Sequence, residues 1–182
     1  MTVDKTNLKN ALLLKPRVFE DSRGRFFEPW NRGTFDRLGL SLDFVQDNVS
    51  FSKENVLRGL HYQSPNPQGK LVSVLHGEVY DVIVDLRESS STFGQWQGFF
   101  LSDSNQHMLY VPEGFAHGFL TLSKHAVFSY KCTSYYDPSS EHTLMWDDPI
   151  LNIEWPLSED TEPIVSPKDG LGNFFTRTTK FK

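Results

Sequence analysis

Leu71-Val72-Ser73-Val74-Leu75 runs through His76-Gly77-Glu78 into Val79-Tyr80-Asp81-Val82-Ile83-Val84-Asp85-Leu86, and this stretch decides the fold. In its second half Tyr80, Val82, Val84 and Leu86 share one side of an extended chain, and Asp81, Ile83 and Asp85 share the other. A period of two belongs to a β-strand. The His-Gly-Glu step between the halves is a turn signal. Working outward, further runs of strand length fall at 24–30, 43–52, 96–101, 107–111, 118–121 and 126–132. Helical signal is scarce. Thr34 is placed to cap a short turn through Leu38 that Gly39 stops, and Asp148-Pro149 is placed to open another. Strands at roughly regular spacing, joined by Gly, Pro, Asn and Ser turns, predict an all-β sandwich or barrel with a few short helices.

Composition agrees. The 182 residues suit one domain spanning 1–182, because no repeat, low-complexity tract or composition shift marks a boundary. A hydrophobic fraction of 38% excludes a disordered chain, and 14% aromatics, with 15 Phe, suit strands better than a helical bundle. The net charge of -5 argues against nucleic acid as a partner, yet leaves room for a few arginines around one small anion. The single cysteine, Cys132, excludes an intramolecular disulfide and a cysteine-based zinc site, and reads as a small buried apolar side chain. Residues 1–10 lack the apolar core of a signal peptide, and no run approaches the ~20 apolar residues of a membrane span. A cytoplasmic setting with no membrane partner is the expectation.

Four segments carry polar residues that a plain β-barrel does not require. In 19–28, Asp21-Ser22-Arg23-Gly24 is a turn, and Arg23 and Arg25 would share a face if extended; the plain reading is a solvated hairpin tip. In 56–63, a regular strand would send Arg58 and His61 to opposite faces unless Gly59 makes a bulge. Lys70 follows shortly, and the plain reading there is an interior histidine with surface cations. In 111–119, Pro112 and Gly114 make a turn ahead of His117. In 130–138, Tyr130, Tyr135 and Tyr136 crowd together, which more often means packing than chemistry.

Histidines in a small β-barrel raise the question of a metal. Pro112, Gly114 and His117 match the second motif of the metal-binding cupins. The first motif is broken: Gln63 stands where its second histidine belongs, and Lys70 where its glutamate does. An ammonium repels a divalent ion, so no metal is expected. A cation in that place can still stabilise a developing oxyanion, and His61 beside it can take a proton from carbon next to a carbonyl.

Taken together, the segments resemble the dTDP-4-dehydrorhamnose 3,5-epimerase family. The matching stretches include Phe19-x-Asp21-x-Arg23-Gly24-x-Phe26-x-Glu28, Gln46-Asp47-Asn48-x-Ser50, Val56 to Gln63, and Gly69-Lys70-Leu71-Val72. They continue through Asp81-Val82-x-Val84-Asp85-Leu86-Arg87, Val111-Pro112-x-Gly114-Phe115-Ala116-His117-Gly118-Phe119, Tyr130-Lys131, Tyr136-x-Pro138 and Ser166-x-Lys168-Asp169. The match runs from about residue 11 to 169. The resemblance implies a cupin-like antiparallel β-sandwich or jelly-roll barrel. It implies a homodimeric enzyme with no cofactor, acting on a dTDP-4-keto-6-deoxy sugar at carbon 3, carbon 5 or both. It assigns His61 as base, Asp169 as its partner, Lys70 to the enolate oxygen and Tyr130 as the acid on the opposite face. Arg23 and Arg58 would contact the diphosphate, with Arg23 given across the dimer by an exchanged N-terminal strand. Glu28, Gln46, Asn48 and Phe26 would contact the nucleoside, His117 would line the sugar pocket and Tyr136 would close it. The tail from Gly170 to Lys182 lies outside the motifs.

Overall fold

A computed structural model describes residues 1–158 and 160–182. Alternating apolar residues become thirteen short strands, and they build two facing sheets and a separate hairpin. The first sheet has six strands in the order β1-β2-β10-β7-β12-β5: β1 (Thr2–Lys5), β2 (Leu12–Lys15), β10 (Met108–Val111), β7 (Lys70–His76), β12 (His125–Cys132) and β5 (Gln46–Lys53). The second has five in the order β13-β6-β11-β8-β9: β13 (Glu141–Thr143), β6 (Leu57–Gln63), β11 (Phe115–Thr121), β8 (Glu78–Asp85) and β9 (Trp96–Ser102). Neighbouring strands in both sheets are antiparallel. The result is a cupin-like antiparallel β-sandwich, as the sequence led us to expect.

The stretch that opened the sequence reading does not form a hairpin. Its first half is β7 in one sheet and its second is β8 in the other, so Gly77, at φ 79°, turns the chain across the sandwich. The two faces of period two then meet different layers. Ile83 joins Val79, Phe115, Phe119, Val72, Val74 and Phe128 in the core between the sheets. Asp81 and Asp85 therefore face the interior with it. Val82, Val84 and Leu86 face outward and are also buried, because Leu151, Trp155, Phe175 and Phe181 cover them. A strand buried on both faces reads as a nearly continuous apolar run, which is what 79–86 is.

The tail packs on this outer face. Phe181 exchanges hydrogen bonds with the strand end, its N–H donating to Leu86 O at 3.0 Å and its carbonyl accepting from Glu88 at 2.7 Å. The outer face of the six-stranded sheet is covered in part by helix α1 (Arg32–Arg37) and the loop after it, through Phe35, Trp30, Leu40 and Leu42. Asn31, not Thr34, caps that helix: its side chain accepts from the Thr34 N–H at 3.1 Å. Gly39 stops it at φ 76°. Asp148 does not open a helix; its Oδ1 accepts from the Ile150 and Leu151 N–H groups and ties a turn.

The backbone feature that shapes the site lies between β6 and β11. His117 pairs with His61 and Phe119 with Arg58, so Gly59 and Leu60 together oppose Gly118 alone. This is the bulge that Gly59 was expected to allow. It brings Arg58 and His61 to one sheet face, because their partners on β11 are two apart. Only glycine fits. Gly59 has φ 122°, and a Cβ there would lie 2.6 Å from Gly118 Cα and 2.8 Å from His117 O. In urea unfolding, Gly59→Ala is expected to cost about 2 kcal/mol or more, combining backbone strain with overlap. A loss near zero would mean that the two strands can separate at no cost.

Candidate active site

Both inner sheet faces turn polar at one end of the sandwich, and a cleft opens there. Its space, open to solvent, measures about 520 Å³ and is lined by His61, Lys70, Tyr130, Tyr136 and Glu141, with Gln63, Phe115 and Phe181 among the others. His61 comes from β6 in the five-stranded sheet, and Tyr130 and Lys70 from β12 and β7 in the six-stranded sheet. The imidazole and the phenol thus reach the same space from opposite walls.

Asp169 is far from His61 in sequence and adjacent in space. It opens a single 3-10 turn (Asp169–Leu171), and its Oδ1 lies 2.6 Å from His61 Nε2. Burial works to raise the Asp169 carboxyl. The hydrogen bond and charge of His61, the Gly59 N–H and Ser166 outweigh it and hold the group below its ordinary value. An ionised Asp169 accepts, so Nε2 carries the proton and Nδ1 keeps the lone pair.

Lys70 Nζ stands 5.9 Å from the centre of the Tyr130 ring. Burial pushes the Lys70 ammonium down, against the pull of Cys132, Asp81 and Glu141. Burial pushes the Tyr130 phenol up, with Cys132 and Glu141 adding to it and Arg58 opposing. Cys132, buried as expected, is the cross-strand neighbour of Lys70.

His117 lies beside His61 on the next strand, under the cleft and buried. Its Nε2 is 2.9 Å from Asp81 Oδ2. Burial lowers the imidazole and raises the carboxyl, each partner resisting the shift of the other. Among the described residues, no three His, Cys, Asp or Glu side chains gather where a metal could be held.

Arg58 lies in a recess beside the cleft, together with His61, Lys168 and Asp169. Its Nε donates to Ser52 Oγ at 3.0 Å, which aims the guanidinium along the wall. Gln46 and Asn48 occupy the inner face of β5, next to Tyr130. Gln46 Oε1 accepts from the Tyr136 N–H at 2.8 Å, so this edge strand supports the mouth of the cleft.

Three expected residues are not brought to the cleft within this chain. Arg23 and Phe26 sit on the hairpin of β3 (Val18–Asp21) and β4 (Gly24–Phe27), which forms its own two-stranded sheet. Arg23 is 87% exposed and, among the described residues, pairs only with Asp21, across the turn. Glu28 follows the hairpin and accepts weakly from Asn31 and Thr34 at the start of α1. Conversely, Glu141, Lys168, Gln63 and Phe181 border the site without having been assigned to it. Gln63 and Lys168 lay inside quoted motifs, next to residues that drew attention first. Glu141 and Phe181 had no local signal.

This sandwich, with ionisable side chains gathered in a cleft at one end, is an isomerase of the cupin type. The dTDP-4-dehydrorhamnose 3,5-epimerase family model matches residues 5–176, and the chain belongs to that family. The dTDP-4-dehydrorhamnose 3,5-epimerase of Salmonella typhimurium is 55% identical over 171 residues, covering 93% of this chain and 92% of its own. The dTDP-6-deoxy-D-glucose-3,5-epimerase of Legionella pneumophila, solved in complex with dTDP-4-keto-L-rhamnose, has a TM-score of 0.93. It is 46% identical and covers 98% of this chain and 94% of its own. A 3'-monoepimerase from Streptomyces bikiniensis, solved with dTDP-quinovose, has a TM-score of 0.87 at 33% identity, covering 94% and 86%. Among the described residues, no helix is long and apolar enough to cross a membrane.

The burial of Lys70 has a consequence for stability. Its ammonium value is lowered in the folded state, so the folded protein binds this proton less readily than the unfolded chain. The resulting drag on stability is full below the lowered folded-state value and fades as pH rises from there toward the ordinary lysine value of about 10.4. Lys70→Met is expected to raise the urea midpoint at pH 7, with a gain that shrinks toward pH 10. A lower midpoint at pH 7 would show that the ammonium is a net stabiliser.

Proposed function

We propose that this chain inverts carbons 3 and 5 of a dTDP-4-keto-6-deoxy sugar, taking a proton from one face of the ring and returning one to the other. The observation that carries this is the placement of His61 and Tyr130 on opposite walls of one cleft, with Lys70 beside the phenol. His61 Nδ1 takes the proton from the carbon next to the keto group. The C–H electron pair forms a C=C bond, and the carbonyl oxygen becomes an enolate facing the Lys70 ammonium. Tyr130 then gives its O–H proton to the carbon from the other side, the carbonyl reforms, and the centre is inverted. Solvent restores the proton on Tyr130 and removes the one on His61. No electrons are gained or lost, so the scheme asks for no redox cofactor.

Asp169 keeps the His61 proton on Nε2 and stabilises the imidazolium. Arg58 suits the diphosphate through its planar fork. Gln46 and Asn48 offer amides to the nucleoside, and Tyr136 closes the mouth. A cytoplasmic setting belongs to the same reading, since the substrate is a nucleotide sugar.

In deuterated water, the wild type is expected to wash deuterium into both carbons of dTDP-4-keto-6-deoxyglucose. Label at one carbon alone would select a single-centre epimerase, as in the 3'-monoepimerase relative; no label would overturn the reading. His61→Ala is expected to lower exchange by at least ~10²-fold. Tyr130→Phe is expected to impair product formation more than exchange.

A homodimer would bring the missing residues. β1 and β2 pair within the chain's own sheet, so the β3–β4 hairpin is the part free to reach a second copy. Phe51, 74% exposed, and Val49 give the outer face of β5 an apolar stripe that suits such a contact. If Arg23 serves the partner's site, mixing inactive His61→Ala with weakly binding Arg23→Ala should recover about a quarter of wild-type activity through mixed dimers. No recovery after subunit exchange would place Arg23 outside the site.

A further inference from the structure

The cleft holds a carboxylate that the proton transfers above do not use. Glu141 pairs with Gln63 across β13 and β6, and Thr143, two residues on, pairs with His61. All four therefore share the sheet face that looks into the cleft. The Glu141 side chain is only 16% exposed. A carboxylate so sheltered is retained only with partners. It has two, on the same oxygen. The Tyr136 hydroxyl donates to Oε2 at 2.7 Å, and the Lys168 ammonium pairs with it. These partners serve different compartments: Tyr136 lines the cleft, and Lys168 lines the recess with Arg58.

We propose that Glu141 is a positioning residue that joins the two halves of the site, holding Tyr136 at the mouth of the sugar cleft and Lys168 beside Arg58 in the recess for the diphosphate. The inference rests on the epimerase reading above and deepens it. Two effects follow. The first is geometric. Lys168 has a long flexible stem, and the ion pair holds its head where a second cation can meet phosphate oxygens. The second is electrostatic. The Glu141 charge faces Lys70, Tyr130 and His61. It resists the lowering of the Lys70 ammonium and adds to the raising of the Tyr130 phenol. Both effects favour the forms the reaction starts from, a charged Lys70 and a protonated Tyr130. The other groups facing these two are Cys132, Asp81 and His117 around Lys70, and Cys132, Arg58 and Tyr136 around Tyr130. None of them lies on β13, so one substitution isolates the carboxylate.

Glu141→Gln keeps the size and an oxygen for Tyr136 but removes the charge, and Glu141→Asp keeps the charge. In E141Q the ratio of kcat at pH 9 to kcat at pH 7 is expected to fall roughly threefold or more, since tenfold in population follows each unit of pKa. The KM for the dTDP-sugar is expected to rise as Lys168 loosens, and E141D is expected to recover the pH ratio. A second measurement needs no activity. Carbon-13 NMR can titrate the Lys70 and Tyr130 side chains, with signals assigned by Lys70→Met and Tyr130→Phe. Both are expected to titrate at lower pH in E141Q than in wild type. Unmoved titrations would overturn the proposal, and so would a changed unfolding midpoint as the only effect of E141Q. If the wild type washes no deuterium into the sugar, the epimerase reading falls, and the titrations still judge Glu141.

Discussion

Two backbones touch where β6 crosses β11, and the site depends on that contact. Gly59 and Gly118 come closer than any side chain allows. The contact lets β6 gain one residue against its partner and reverses the facing of everything before it. Without that offset, Arg58 would point to the outer layer, where Leu60 and Tyr62 pack under the C-terminal segment. With it, a guanidinium and an imidazole share one wall, and the Gly59 N–H is left to donate to Asp169 at 3.4 Å. One local irregularity thus places three groups, a guanidinium, an imidazole and its carboxylate partner, to which the proposed function gives the diphosphate contact, the base and its orienter.

The second constraint is the cost of charge between two sheets. A sandwich interior is apolar, and ionisable groups there shift toward their neutral forms unless partners resist. The three carboxylates at this end each have a cationic or ionisable partner: Asp169 has His61, Asp81 has His117, and Glu141 has Lys168. Among the described residues Lys70 has no such close pair, and burial pushes its ammonium down. This asymmetry suits the chemistry. A group that must stabilise a transient oxyanion works best when no permanent anion has claimed it, and a base that must cycle works best when its orienting partner stays ionised.

Much of the fold was legible because period two survives in β7, β8, β9 and β12, long enough to rise above chance. The strands that escaped attention, β1, β2, β3 and β13, are only three or four residues each. Runs so short carry little period of their own, though β4 and β10, no longer, sat inside readable runs, and the pairing of all of them comes from neighbours. The facing of β8 was also hidden. Asp81 and Asp85 share a face with Ile83, and both are fully buried, Asp81 by pairing with His117 and Asp85 by gathering Arg87, Ser90 and Thr92. Local pattern reports alternation, and it cannot report that a second layer covers the other face.

By itself, the sequence determined the class of secondary structure, Gly59 as the place where a bulge could form, and the family, because these depend on residue type and local spacing. Tertiary structure decided which groups meet. It joined Asp169 to His61 and set Tyr130 opposite them on the other sheet. It brought Glu141 into the cleft between Tyr136 and Lys168, and it left Arg23 and Phe26 on a hairpin clear of the cleft. The reason is physical. Hydrogen bonds and ion pairs act over a few ångströms of space, and chain distance says little about that until the sheets have closed around their core.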